Sequence, residues 1–123
     1  MIELAVSGNN YELAEKITEY VEEKIGELDK YVPRALRGGV KGTVTLTLDE
    51  SGREDNQCIC EVTIQLPGAV IEGREATLNM FAAVDIVEAK LKAQLLKYKA
   101  KHSPRHNRAK VILNRLHRGE EEV

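Results

Sequence analysis

The stretch NMFAAVDIVEAKLKAQLLKYKAK, residues 79–101, has a period that decides the fold. Successive helical residues are turned by about 100°, and on that wheel Met80, Val84, Val87, Leu91, Leu95 and Tyr98 share a sector of about 80°. A helix with one apolar stripe has to lay it against another element. The reading puts an N-cap at Thr77 and runs the helix to about Lys101, roughly 35 Å at about 1.5 Å per residue. Lys90, Lys97 and Lys101 then line one flank of the apolar stripe, and Lys92 and Lys99 line the opposite flank. Ala82, Ile86, Ala89, Ala93, Leu96 and Ala100 fall on the outward side. That mildly apolar surface reads either as ordinary helix-favouring filler or as a landing place for the tail or a second copy, and the second reading is the ground for expecting weak self-association.

Upstream of this helix the period is two. Val44, Leu46 and Leu48 alternate with Thr45 and Thr47, and Cys58, Cys60, Val62, Ile64 and Leu66 resume the alternation after the polar turn Asp49–Asn56. The two runs read as a hairpin with one wet face. Pro67-Gly68 forms a tight turn before a fourth strand, Ala69 to Glu75, which Gly73 weakens. Ile2, Leu4 and Val6 give a first strand, broken by Ser7 to Asn10, where Asn9 and Glu12 have capping-box spacing. From Tyr11 a helical stripe of Leu13, Ile17, Tyr20, Val21, Ile25, Leu28 and Val32 runs to a stop near Pro33. The order is β-α-β-β-β-α. Its class is α+β: a two-layer sandwich with a four-stranded sheet, both helices on one face and a polar opposite face.

The charge is divided along the chain. Residues 1–76 carry 8 basic and 15 acidic side chains and residues 77–123 carry 10 and 5, although the formal net charge of the whole is only -2. From Ala89 to Arg118 there are ten Lys or Arg, three His and no acid. Solvated faces normally mix signs, so this block points to a polyanion. Lysines suit that task because each phosphate they neutralise releases condensed counterions, which gives affinity without reading sequence. We divide the chain into a folded domain, residues 1–101, and a basic, flexible C-terminal tail, residues 102–123, that includes Arg105 and Arg108.

Asn79-Met80-Phe81-Ala82-Ala83-Val84-Asp85, with Lys90-Leu91, Gln94-Leu95 and Lys97-Tyr98-Lys99-Ala100-Lys101, resembles the second helix of the ribosome hibernation promoting factors. That family includes the ribosome-associated inhibitor A proteins and was once labelled sigma-54 modulation protein. Ser7-Gly8-Asn9 and Tyr20-Val21-Glu22-Glu23-Lys24-Ile25-Gly26-Glu27-Leu28-Asp29-Lys30-Tyr31 resemble its N-terminal pattern in the same register. The resemblance implies a β-α-β-β-β-α fold with helices arranged as in double-stranded-RNA-binding domains. It implies a factor that binds the small ribosomal subunit and its rRNA in the mRNA/tRNA channel. Such a factor inhibits translation by occupancy and preserves idle ribosomes under stress or in stationary phase. The basic positions that carry over are Lys24, Lys30, Lys90, Lys97 and Lys101. Ala93, Leu96 and Asn79 depart from the family pattern, which puts weight on Lys92, Lys99 and the tail residues Arg105 and Arg108. The chain corresponds to a short-type factor or to the N-terminal part of a long one.

Other classes have less support. No phosphate-cradling glycine loop or nucleophile motif is present, so no enzyme, cofactor or small-molecule substrate is expected. Cys58-x-Cys60 and His102-x-x-x-His106 have metal-ligand character, but cysteines two apart on a strand are more simply core residues, and no metal is expected. No apolar run reaches the roughly 20 residues of a membrane span, and the expected location is cytoplasmic. The competing reading is a protein-interaction module that modulates transcription through the acidic first half or the alanine face.

Overall fold

The registers of the central strands explain why the alternating residues form a core. In the computed structural model, which describes residues 1–102, β2 (Lys41–Leu48) pairs antiparallel with β3 (Cys58–Leu66), and β3 pairs antiparallel with β4 (Ala69–Thr77). Val44 lies opposite Val62, Leu46 opposite Cys60, and Gly42, Ile64 and Ile71 stand in one row. Because side chains alternate faces with period two, this phasing puts every apolar set on the same side. β1 (Glu3–Asn9) joins the other edge parallel to β2, giving the order β1-β2-β3-β4. A parallel neighbour needs a crossover connection, and the first helix supplies it.

That helix, α1, spans Glu15–Gly26 and continues as a 3-10 turn over Glu27–Tyr31. It starts later than the capping-box spacing predicts. Asn10 adopts φ 58°, and its side-chain amide donates to the Leu48 carbonyl at 3.0 Å, fixing the turn to β2. Ala14 takes the cap position with no side-chain bond. The stop before Pro33 is as expected, with Val32 extended at φ -99°, ψ 135°. The expected loop after it contains a further 3-10 turn, Arg34–Gly39.

The second helix, α2, spans Met80–His102. Its cap is Asn79 rather than Thr77: the Asn79 Oδ1 accepts from the Phe81 and Ala82 amides at 2.8 and 3.4 Å, while the Thr77 hydroxyl oxygen accepts from the Asn79 amide. Both helices pack on one face of the sheet. Ile17, Val21, Ile25 and Leu28 from the first interdigitate with Ala83, Val84, Val87, Leu91 and Leu95 from the second over Val44, Leu46, Cys60, Val62 and Ile64.

Gly73 has a packing role that its weak strand propensity hides. A Cβ there would stand 3.1 Å from Val87 Cγ1 and 3.5 Å from Leu91, so glycine lets α2 settle directly on β4. Cys60 is fully buried, and burial pushes its thiol up to about 12, while Cys58 is half-buried with its Sγ 3.5 Å from the Leu78 carbonyl oxygen. Both cysteines therefore belong to the packing under the helices. Among the described residues no helix is long and apolar enough to cross a membrane.

Candidate nucleic-acid interface

The two helices run side by side in the same direction, because their contacts advance together along both chains. Tyr20 meets Phe81 edge to face with ring centroids 5.0 Å apart, and its hydroxyl donates to Asp85 Oδ1. One turn on, Lys24 Nζ lies 3.5 Å from Glu88 Oε1 and 3.8 Å from Asp85 Oδ1. The Glu88 carboxylate holds the Lys24 ammonium above its ordinary value, and the bond to Asp85 raises the Tyr20 phenol. Lys24, a predicted contact residue, is thus part of a polar clasp between the helices. Asp85 is its centre, accepting the Tyr20 hydroxyl bond and lying at ion-pair distance from Lys24.

On the opposite flank α2 meets the edge of the sheet. An edge strand presents unpaired backbone groups that invite further pairing. Lys90 Nζ donates to the Arg74 carbonyl at 3.0 Å and pairs with Glu75 Oε1 at 2.7 Å, and Gln94 Nε2 donates to the Glu72 carbonyl at 2.8 Å. Two successive outward carbonyls of β4 are therefore covered by side chains one helical turn apart. Lys97 and Lys101 continue this flank beside Gly68, Ala69, Ile71 and Tyr98, whose hydroxyl donates to the Pro67 carbonyl at 2.7 Å. The predicted row Lys90, Lys97 and Lys101 exists, with its first member fastened to the strand.

A third grouping joins residues far apart in sequence. Lys30 Nζ lies 5.4 Å and Lys92 Nζ 5.3 Å from the centroid of the Tyr31 ring. Lys99 follows Lys92 along the same flank of α2. Lys97 and Lys99 are exposed and make no ion pair with a described residue. Arg105 and Arg108 lie outside the described residues.

Sequence reasoning missed Tyr31 and Arg37. The Arg37 Nε donates to the Val32 carbonyl at 2.9 Å and its Nη2 to the Lys30 carbonyl at 3.3 Å, which fixes the backbone on both sides of Tyr31. The only local signal was the Lys30-Tyr31 adjacency, because Lys92 approaches across the fold. The assembled surface is one helix with basic rows on both flanks and an acidic clasp near its N-terminal half. Among the described residues no group of three or more His, Cys, Asp or Glu is placed to hold a metal ion.

Comparison with known proteins gives three findings. A family profile described as Sigma 54 modulation protein / S30EA ribosomal protein matches residues 4–103. Proteins named ribosome hibernation promotion factor are similar in sequence: that of Deinococcus radiodurans is 34% identical over 97 residues, covering 79% of this chain and 49% of the relative. That of Picosynechococcus is 33% identical over 101 residues, covering 82% and 51%. The chain thus spans about half the length of the curated relatives it matches. Among solved structures, the Thermus thermophilus Protein Y N-terminal domain superposes with TM-score 0.65 at 26% identity, covering 79% of this chain and 97% of that one. A ribosomal subunit interface protein from Coxiella burnetii has the same fold, with TM-score 0.64 and 80% and 99% coverage.

Proposed function

This chain belongs to the Sigma 54 modulation protein / S30EA ribosomal protein family, and from that membership we propose that it is a ribosome hibernation factor acting in the cytoplasm. It binds the small ribosomal subunit through rRNA in the mRNA/tRNA channel, blocks initiation by occupancy and keeps idle ribosomes intact. It does so by binding, without catalysis. The names of its relatives support the ribosomal role. The observation that carries the surface is the pair of basic rows on α2: Lys97 and Lys99 sit on opposite flanks, exposed and without carboxylate partners among the described residues. A helix armed on both flanks can engage phosphates on two sides of a groove or cleft, and such contacts give affinity without base readout.

Within this surface the nine proposed residues differ in what they bring. Lys92, Lys97, Lys99 and Lys30 lack carboxylate partners among the described residues, whereas Lys24 and Lys90 enter with their charge partly neutralised by Glu88 and Glu75. Lys101 closes the β4 flank, and Arg105 and Arg108 extend the basic block along the chain. The domain and tail division, residues 1–101 and 102–123, assigns rigid docking to the first and added electrostatic reach to the second. A reconstituted initiation assay tests the mechanism: the chain should lower initiator transfer RNA binding to small subunits in a dose-dependent, salt-sensitive way. Undiminished initiator binding at saturating protein would show that the channel is not its site.

A further inference from the structure

We propose that the outer edge of β1 is a docking site for an extended, Lys- or Arg-bearing segment of another protein, which adds to the 4-stranded sheet as a further strand. The proposal goes beyond the nucleic-acid surface on α2 and rests on the ribosomal reading only for where such a segment is met. An edge strand turns every second N–H and C=O away from the sheet, ready to pair with another chain. The two edges of this sheet, β1 and β4, differ in how those groups are treated. On β4, Lys90 and Gln94 cover the carbonyls of Arg74 and Glu72. On β1, no described residue outside the sheet takes the outward groups of Glu3 to Ser7. The Ile2 amide donates to the Gly26 carbonyl at 2.8 Å, just before the strand begins. The strand sequence ELAVSGN has no Lys or Pro to discourage pairing. Leu4 and Val6 are only half-buried against the core, so an added strand gains apolar contact beside them.

The surroundings of this edge select the charge of the partner. α1 runs back along β1: Leu13 Cγ stands 3.2 Å from where a Gly8 Cβ would lie, and Gly26 ends the helix beside Ile2. A Cβ at Gly26 would be 2.8 Å from Met1 Cε, so this flank of α1 overhangs the start of β1. At about 100° per residue, Glu15 and Glu22 fall within about 40° of Gly26, on the flank opposite Tyr20 and Lys24. They stand about 16 and 6 Å back along the helix from Gly26, which matches the run from Leu4 to Ser7 on a strand rising about 3.3 Å per residue. Glu3 adds a carboxylate at the start of the strand itself, with Lys41 opposite it on β2, one strand further in. Glu3, Glu15 and Glu22 are exposed and make no ion pair with a described residue. This acidic rim repels nucleic acid, and a second copy paired edge to edge would bring two such rims together. A strand bearing Lys or Arg is drawn to the rim while its backbone completes the ladder.

Two synthetic peptides separate backbone pairing from charge. One alternates Lys and Val over 7 residues, the length of β1. The other alternates Lys and Pro at the same length, which keeps the charge and removes the N–H donors of the proline positions. With the full chain, the Lys-Val peptide should bind and, at saturation, slow hydrogen exchange of the outward amides between Glu3 and Ser7 about tenfold or more. The Lys-Pro peptide should bind about tenfold more weakly. The combined Glu15→Gln and Glu22→Gln variant, changed only on the exposed helix surface, should weaken the Lys-Val peptide about three- to tenfold. Equal binding of the two peptides, unaltered exchange in β1, or indifference to the two glutamine substitutions would overturn the edge as the site. These measurements contain no ribosomes, so that failure would leave the ribosomal reading standing. Outward β1 amides already protected before peptide is added would show that the chain's own tail or a second copy holds the edge, and would overturn the proposal too. Peptide docking as described, in a chain that does not co-sediment with small subunits, would support the edge and remove the ribosomal reading.

Discussion

The two flanks of α2 carry similar lysines and use them differently. On the β4 side, Lys90 and Gln94 reach inward to the strand carbonyls of Arg74 and Glu72. On the α1 side, Lys92 leans on Tyr31 with no carboxylate partner among the described residues. Two residues apart in sequence, Lys90 and Lys92 thus divide the work: one seals a sheet edge and the other presents charge. A positive stripe is therefore not a uniform binding surface. What each lysine can offer a phosphate depends on what the fold has already placed beside it.

That contrast sets the order of the expected effects. Reversing the lysines that lack carboxylate partners, in the combined Lys92→Glu, Lys97→Glu and Lys99→Glu variant, should reduce affinity for small subunits about 100-fold or more at low salt, read by equilibrium sedimentation, with the melting temperature little changed. Replacing the sealing pair by Lys90→Met and Gln94→Leu should do the opposite. It should cost about 1–2 kcal/mol in a denaturant titration with an unchanged m-value, while altering affinity less than about threefold. The opened edge should also speed thiol labelling of Cys60 on the adjacent strand, whose burial otherwise keeps it protonated and unreactive. A large affinity loss without loss of stability in that variant would erase the distinction between the flanks.

The clasp between the helices gives the smallest effect and a pH signature. The Tyr20 phenol is raised above the ordinary tyrosine value of 10.0, first by its bond to Asp85. A group with a raised folded value contributes stability that is present below its unfolded value and lost as pH rises through the folded one. The native protein should therefore lose stability above about pH 10, and Tyr20→Phe should make that decline shallower while costing less than about 1 kcal/mol at neutral pH. An identical alkaline decline in the variant would remove Tyr20 as its source.

What was legible in the sequence was local. The alternation in β2 and β3 and the stripe Met80, Val84, Val87, Leu91, Leu95 and Tyr98 follow from periodicity, and each of these helix residues is buried. The structure and the family resemblance agree on the β-α-β-β-β-α order. What was hidden depends on partners distant in the chain. Asn10 delays α1 through a bond to Leu48, Lys24 meets Asp85 and Glu88, Lys90 meets Arg74 and Glu75, and Lys92 meets Tyr31. No spacing rule reaches across such separations. The wheel placed the lysines on the correct flanks, but only the folded chain shows which are already engaged.

In the proposed function, the basic flanks of α2 hold the chain in the transfer RNA channel of the small subunit. Co-sedimentation with purified small subunits, with and without excess initiator transfer RNA, tests it most directly. The unsubstituted chain should pellet with subunits at low salt and be displaced by the transfer RNA, and the Lys92→Glu, Lys97→Glu and Lys99→Glu variant should stay in the supernatant. Retention of that variant on the subunits, or binding that initiator transfer RNA does not displace, would contradict the account.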